Sequence, residues 1–233
     1  MRYCIGDIHG CYYTFNKLIC QICVLDKNPE LYFVGDLIDR GSNSKAVIDL
    51  IINLKNKGLK INSVRGNHEE MLLYSYENSF KVTDTNWNSN GAPNTIRSLN
   101  PIADLNLPTK ELIPEKYYTF LHSLPYFIAL NDYIIVHAGF NFNSKDPFSD
   151  TKTMLWTRKE ENKFKFTKEK IIIHGHTPIS FKQIKSNINN KITDIINIDS
   201  GCIFTNRKNL GTLTAFNLHT QELINIKNID FKL

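Results

Sequence analysis

Leu31-Tyr32-Phe33-Val34-Gly35-Asp36-Leu37-Ile38-Asp39-Arg40-Gly41 is the stretch that decides the fold. Its first four residues are an apolar, aromatic and β-branched run that suits a buried strand, and Gly35-Asp36 ends it. The same punctuation recurs on either side. Arg2 to Ile5 runs into Gly6-Asp7, and Ile61 to Val64 runs into Arg65-Gly66-Asn67-His68. Helical patterns separate these strands. Tyr12, Phe15, Leu18, Ile19 and Ile22 recur at spacings of three and four, and Ala46 to Leu54 carries Ile48, Ile51, Ile52 and Leu54 before Gly58. Glu69 onward reads as a third helix. A β-α-β-α-β rhythm with a polar turn after every strand predicts an α/β fold whose site lies beyond the carboxyl ends of the strands.

Further along, the pattern weakens between about Glu77 and Pro114, where Asn, Thr, Pro and Gly dominate around Trp87. A long aperiodic stretch of this kind predicts a functional loop, a lid or an inserted helical cap. Pro114 opens a helix to about Ser123. Tyr126 to Leu130 and Tyr133 to His137 read as a hairpin around Asn131-Asp132. Ile171-Ile172-Ile173 is another buried strand, ending at His174-Gly175-His176. From Phe181 the chain reads as strand, with hairpin turns at Asn189-Asn190 and His219-Thr220. With no repeat, low-complexity tract or linker, residues 1–233 are expected to form a single domain with a cap or lid-like segment at about 77–114.

Composition narrows the function classes. A chain of 233 residues with 42% hydrophobic and 22% charged content is an ordinary globular one. No stretch approaches the roughly 20 apolar residues that cross a bilayer, so no membrane partner is expected. The net charge of +5 comes from scattered Lys. Its densest cluster, Lys159 to Lys170, also holds Glu160, Glu161 and Glu169, which is not the basic stripe of a nucleic-acid binder. Met1 to Ile5 leads straight into a Gly-Asp turn, with no signal-peptide core. A cytoplasmic location is expected, and export by a signal without a sequence signature stays open. The five cysteines, with Cys20-Gln21-Ile22-Cys23 inside a helical pattern, are therefore expected to be reduced thiols. Nothing marks an oligomer interface, so a monomer is expected.

The strand ends carry the chemistry. Asp7, His9, Asp36, Asn67, His137 and His176 each follow a short apolar run, and glycine brackets nearly all of them. Converging strand ends would place three carboxylate or amide oxygens and three imidazoles around one cavity. Oxygen and nitrogen donors without sulfur suit two divalent transition metals such as Mn²⁺, Fe²⁺ or Zn²⁺, whereas a pure Mg²⁺ or Ca²⁺ site needs more oxygens.

Gly6-Asp7-Ile8-His9-Gly10, Gly35-Asp36-Leu37-Ile38-Asp39-Arg40-Gly41, Arg65-Gly66-Asn67-His68-Glu69, Val136-His137-Ala138-Gly139 and Gly175-His176-Thr177-Pro178 resemble, in order and spacing, the motifs of the calcineurin-like metallophosphoesterases. More narrowly they resemble the small bacterial and phage form of the phosphoprotein phosphatase branch. Trp87, Asn90-Gly91 and Thr95 resemble a further stretch of the family, with Ala92 in place of a second glycine. Asp199-Ser200-Gly201 and Gly211-Thr212-Leu213 resemble its terminal strand pair. The resemblance implies a four-layer α/β/β/α sandwich with a central pair of mixed sheets. It implies two divalent metal ions, Mn²⁺ foremost, with Fe, Zn or Co as alternatives. Asp7 and His9 would hold the first metal, Asp36 would bridge, and Asn67, His137 and His176 would complete the second. His174 is left as a strand or supporting residue.

Two such cations activate a shared water and hold a phosphoryl group in line for attack. Only six of the 28 basic residues are Arg, yet Arg40, Arg65 and Arg158 lie in or near the motifs. Together with Asn67 they are the expected phosphate binders, because the planar guanidinium fork meets two phosphate oxygens at once. His68 is the expected general acid, oriented by Asp39; Arg40 and Arg65 act with them at the transition state. Asp39 and Glu69 favour a serine/threonine phosphoprotein phosphatase, with dual specificity left open, acting on a phosphorylated protein or peptide. The alternative is a symmetrical dinucleoside polyphosphate (diadenosine tetraphosphate) hydrolase, which typically shows Ala at the place of Asp39 and Asp at that of Glu69. A non-catalytic binding module would need lost ligands, and none is lost.

Overall fold

The computed structural model describes residues 1–159, 167–189 and 194–231. Two mixed sheets pack face to face. The first has the order β3 (Ile61–Ser63), β2 (Glu30–Phe33), β1 (Arg2–Ile5), β8 (Thr212–Asn217), β9 (Leu223–Lys227). Its β1, β2 and β3 are parallel, while β8 runs antiparallel to β1 and β9. The second has the order β4 (Phe127–Ala129), β5 (Tyr133–Val136), β6 (Ile171–His174), β7 (Ile195–Asn197), with β5, β6 and β7 parallel and β4 antiparallel to β5.

The pleat sorts the apolar residues between layers. Tyr3, Ile5, Leu31, Phe33, Leu213 and Ala215 face the helices. Cys4, Tyr32, Tyr133, Ile135, Ile173 and Phe216 alternate with them and fill the space between the sheets. On the far side of the second sheet, Ile134, Val136 and Ile172 meet Phe140, Phe142 and Met154. The result is the mixed α/β sandwich that the resemblance implies.

Helix α1 (Tyr12–Leu25) buries Phe15, Leu18, Ile19 and Ile22, the predicted stripe. Its first turn has no side-chain cap of its own. Asp230 supplies one from the other end of the chain, accepting from the Tyr13 and Thr14 amides at 2.9 and 3.0 Å. Helix α2 (Ser44–Asn56) completes the second parallel crossover, and α3 (Asn67–Glu77) leads away from β3 at the sheet edge. The predicted hairpins β4–β5 and β8–β9 are present.

The stretch after Glu77 is a 3₁₀ turn (Val82–Asp84) followed by α4 (Asn86–Ser89), α5 (Ala92–Leu99) and α6 (Thr109–Leu112), then α7 (Glu115–His122). Val82, Trp87, Ile96, Leu99 and Leu112 are buried in the same core as α1 and α2. Each such side chain contributes about 1.5–3 kcal/mol on burial, which fastens the insertion to the body and opposes lid-like swinging.

The C-terminal part corrects one expectation. After α8 (Thr151–Trp156) and β6, Phe181–Asn189 is a helix, α9, rather than a strand. Phe181, Ile184 and Ile188 are three and four residues apart; Ile184 is buried and Ile188 packs against the cluster between the sheets. Asn189 closes this helix, and Asn190 of the expected turn and the charged run 160–166 lie outside the described residues. Among the described residues no helix is long and apolar enough to cross a membrane.

Candidate dinuclear metal centre

The carboxyl ends of β1, β2, β3, β5 and β6 meet at one edge of the sandwich, so all six predicted strand-end residues converge. The backbone there is bent. His9, Asp36, Asp39, Arg40 and His176 have φ of 47°, 49°, 70°, 63° and 70°, left-handed values that cost non-glycine residues about 1–3 kcal/mol each. Glu69 holds much of this shape. Its buried carboxylate accepts from the amides of Asp36 (2.9 Å), Leu37 (2.8 Å), Ile38 (3.4 Å) and Gly66 (2.8 Å), tying the loop after β2 to the start of α3. Burial and the Asp36 charge push its carboxyl up to about 7, against the pull of these amides. Gly175 is required by close approach: a Cβ there would overlap Asp7 Oδ1.

Asp36 is the hinge of the site. Its Oδ2 lies 3.5 Å from His9 Nε2 and 3.9 Å from His68 Nε2, and its Oδ1 lies 3.4 Å from His137 Nε2. Two groups of potential metal donors thus share it, His9–Asp36–His68 and Asp36–His137–His176, each with ligand atoms within 4.8 Å of one another. Burial would raise the Asp36 carboxyl, but the surrounding imidazoles of His137, His68, His9 and His176 outweigh it and hold it below its usual range.

In the first group, His9 Nδ1 donates to the Ile38 carbonyl at 2.9 Å, which turns Nε2 toward Asp36. Burial and then the Arg40 guanidinium keep the ring neutral, so Nε2 offers a lone pair. His68 is fully buried and donates Nδ1–H to Asp39 Oδ2 at 2.7 Å. Burial lowers its basicity, but Asp36 and Asp39 more than restore it, leaving the ring raised. Asp39 is itself fixed by Trp87 Nε1 (2.6 Å) and Thr95 Oγ1 (2.6 Å) from the helical insertion.

In the second group, His137 donates Nδ1–H to the Val34 carbonyl at 2.8 Å. Burial depresses its basicity, so Nε2 is a bare acceptor; it faces Asn67 Oδ1 at 2.9 Å and His176 Nδ1 at 3.2 Å. Burial, then His137, brings His176 down to about 3. With Nδ1–H given to Val34, the lone pairs of His137 Nε2 and Asn67 Oδ1 face each other at 2.9 Å and repel unless a cation sits between them. Asp7 points the same way: its Oδ2 accepts from the His176 amide at 3.0 Å, while Oδ1 is buried without a partner, as are His68 Nε2 and His176 Nε2. Burial, then Asp199 and Asp36, push the Asp7 carboxyl well up, the signature of a carboxylate that wants a positive neighbour. The donor set fits two divalent cations, with Asp36 common to both donor groups.

Arg40 reaches the first group, its guanidinium meeting His9 Nε2, and lies over the Phe204 ring at 5.5 Å. Arg158 is exposed and close enough to His176 to depress its basicity further. Arg65, expected at the phosphate, is held elsewhere. Its guanidinium binds Glu70 (2.8 Å), the Tyr126 hydroxyl (3.2 Å) and the His122 carbonyl (2.7 Å), because Glu70 on the first turn of α3 is the nearer anion. His174 is buried in β6, and its Nδ1–H donates to the carbonyl of its own neighbour, Gly175, at 3.0 Å. Two contributors are not expected at the site from the sequence, where Asp199 reads only as part of the terminal strand pair. One is Asp199, buried beside Asp7 with its carboxyl pushed up to about 7 by burial. The other is the Phe204–Arg207 pair, with the guanidinium 4.2 Å over the ring. Asp199 follows the β7 run as Asp7 follows β1, which is the signal that could have found it.

A family description, calcineurin-like phosphoesterase, matches residues 3–205. The chain belongs to this family. The calcineurin-like phosphoesterases are dinuclear metal-dependent phosphoester hydrolases, in keeping with the two donor groups around Asp36. Among curated relatives, the asymmetrical bis(5′-nucleosyl)-tetraphosphatase PrpE of Anoxybacillus flavithermus is 27% identical over 95% of this chain and 92% of its own length. The symmetrical bis(5′-nucleosyl)-tetraphosphatase of Wigglesworthia glossinidia brevipalpis is 41% identical over 36% of this chain and 29% of its own. Among solved structures, a serine/threonine protein phosphatase from Saccharomyces cerevisiae superposes with a TM-score of 0.63 at 18% identity, covering 99% of this chain and 81% of that one. At that identity the superposition speaks for the fold.

Proposed function

We propose that this phosphoesterase hydrolyses dinucleoside tetraphosphates, cutting them asymmetrically. The observation that carries the reading is the similarity to PrpE along nearly the whole of both chains. Asp39 and Glu69, on which the phosphoprotein expectation rests, do not discriminate substrates. Glu69 braces backbone amides and Asp39 holds His68, so both serve the centre whatever ester it cuts. The helical insertion adjoins the site, with Trp87 of α4 and Thr95 of α5 bonded to Asp39.

Asp7 and His9 with Asp36 would hold one divalent cation; Asn67, His137 and His176 with Asp36 would hold the other. When bound, such a pair supplies Lewis acidity toward phosphoryl oxygens and an activated water at neutral pH. The remaining work falls to side chains. Arg40 and Arg158 stand on either side of the two groups and neutralise equatorial phosphoryl charge. Arg207, stacked on the Phe204 ring that Arg40 also faces, extends this cationic edge toward further phosphates. His68, its basicity raised by Asp36 and Asp39 against the effect of burial, presents Nε2 to the leaving oxygen as the proton donor.

A phosphoprotein phosphatase is the second reading. The Asp39–His68 pair would serve it equally, since a serine alkoxide also needs a proton as it leaves. A metal-reconstituted assay separates the two. Diadenosine tetraphosphate should yield ATP and AMP in equal amounts at a rate well above release of phosphate from phosphoserine and phosphothreonine peptides. ADP as the sole product would make the cut symmetrical, and a preference for the peptides would overturn the nucleotide reading.

A further inference from the structure

Beside the metal centre a cleft of about 390 Å³ opens between α3, the 3₁₀ turn, α4 and the end of α8. Met71, Tyr74, Phe80, Trp87 and Trp156 line it. Four stretches of chain therefore deliver apolar rings to one hollow. Much of that surface faces water: Tyr74 is 60% exposed, Trp156 44% and Phe80 38%. Large aromatic faces left uncovered together mark a place where something else stacks.

The cleft shares its walls with the catalytic centre. The Trp156 ring lies edge-on to His176 at 6.3 Å between centroids, and Trp156 stands two residues before Arg158. Trp87 turns its Nε1–H inward to Asp39 and leaves its ring against the cleft. A ligand with phosphates between Arg40 and Arg158 would extend its next group over these rings. The volume falls in the range of about 300–1,000 Å³ usual for small-molecule sites. The rim is polar, with Asp84 and Asn86 both exposed. A flat aromatic with hydrogen-bonding edges matches apolar walls and such a rim, since an Asn amide can pair with a purine edge.

We propose that this cleft binds the nucleobase of a nucleotide whose phosphates lie at the metal centre. The inference rests on the nucleotide reading given above and names the contact that would select for it. It also separates this surface from Arg40 and Arg158, which would grip any phosphate.

The protein carries its own reporter, because the chain's two tryptophans, Trp87 and Trp156, both line the cleft. In the metal-loaded protein, adenosine should quench tryptophan emission saturably, and inorganic tripolyphosphate, which has no base, should not. Tyr74→Ala should raise KM for diadenosine tetraphosphate about tenfold, with kcat changed less than about twofold, and Tyr74→Phe should restore it. Phe80→Ala, which removes the ring packed against Tyr74 at 5.7 Å between centroids, should act in the same direction. Hydrolysis of diadenosine tetraphosphate with no quenching by adenosine and unchanged KM in both alanine variants would overturn the cleft and leave the proposed function standing. Saturable quenching by adenosine in a protein that cleaves only phosphopeptides would support the cleft and overturn the substrate. Quenching by a phosphopeptide but not by adenosine would overturn the nucleobase as occupant.

Discussion

The two sides of Asp36 are built differently. On the His9–His68 side every donor residue is buried, and each ring has its other nitrogen fixed, His9 by the Ile38 carbonyl and His68 by Asp39. Behind them stands the helical insertion, with Trp87 and Thr95 on Asp39. On the His137–His176 side only His137 has a carbonyl behind it; His176 is half-buried beside the partly exposed Trp156 and the exposed Arg158. A wired half suits holding a proton donor at fixed distance and charge. An open half suits admitting and releasing an anion. Pre-organisation is thus concentrated where the chemistry needs it.

The strongest way to break the contrast is to remove what both sides share. Asp36→Asn should lower kcat/KM by about three orders of magnitude or more, because charge stabilisation worth several kcal/mol is lost at both donor groups. Metal content of the purified variant, by elemental analysis, should fall for both ions together. Loss of one ion alone would mean that the halves are independent.

The next largest effect isolates the wired half. His68→Ala should cost about 10²–10⁴ in kcat on esters with poor leaving groups and much less on p-nitrophenyl phosphate, whose leaving group needs little protonation. Equal losses on both would remove His68 as the acid. The pH profile gives the sign independently. An acid works protonated, so activity falls as pH rises through its pKa. Asp36 and Asp39 raise that pKa against burial, so Asp39→Asn should move the alkaline limb of kcat/KM to lower pH. An unmoved limb would assign it to another group.

Much of this was legible in the sequence, and the reasons are local. A strand of Leu31 to Val34 ending in Gly35-Asp36 fixes where a side chain leaves the sheet, so six such endings predict one edge. Spacing also yields α1 and the hairpins. It fails for Phe181 to Asn189, where scattered Lys and Asn hide apolar positions three and four apart, and a strand was the wrong period. Arg65 shows a second limit: a motif names a residue but not which anion, Glu70 or a phosphate, its guanidinium meets. Substrate choice fails for the same reason, since Asp39 and Glu69 act on His68 and on backbone amides rather than on what is bound. The cleft was illegible because Tyr74, Phe80, Trp87 and Trp156 share no spacing; only folding brings them together.

The smallest effect sharpens the contrast most. Thr95 is fully buried; its hydroxyl donates to Asp39 Oδ1 at 2.6 Å, accepts from the Asp39 amide at 2.9 Å and meets Ser44 Oγ at 3.0 Å. Thr95→Val keeps the shape and deletes only that hydroxyl. Asp39 keeps Trp87 and His68, and its amide keeps Ser44 Oγ at 3.2 Å, so the carboxylate is loosened and not abandoned. Stability should fall by about 1–3 kcal/mol, the cost of buried polar groups left short of a partner, measured by urea unfolding. Activity should fall by about tenfold or somewhat more, as for other residues that orient a group behind a metal site. Arg158→Ala on the open side should leave the unfolding midpoint unmoved, since an exposed guanidinium contributes little to folding, and raise KM. If Arg158→Ala destabilised the protein as much as Thr95→Val, the open half would be as tightly built as the wired one, and the division of labour across Asp36 would be wrong.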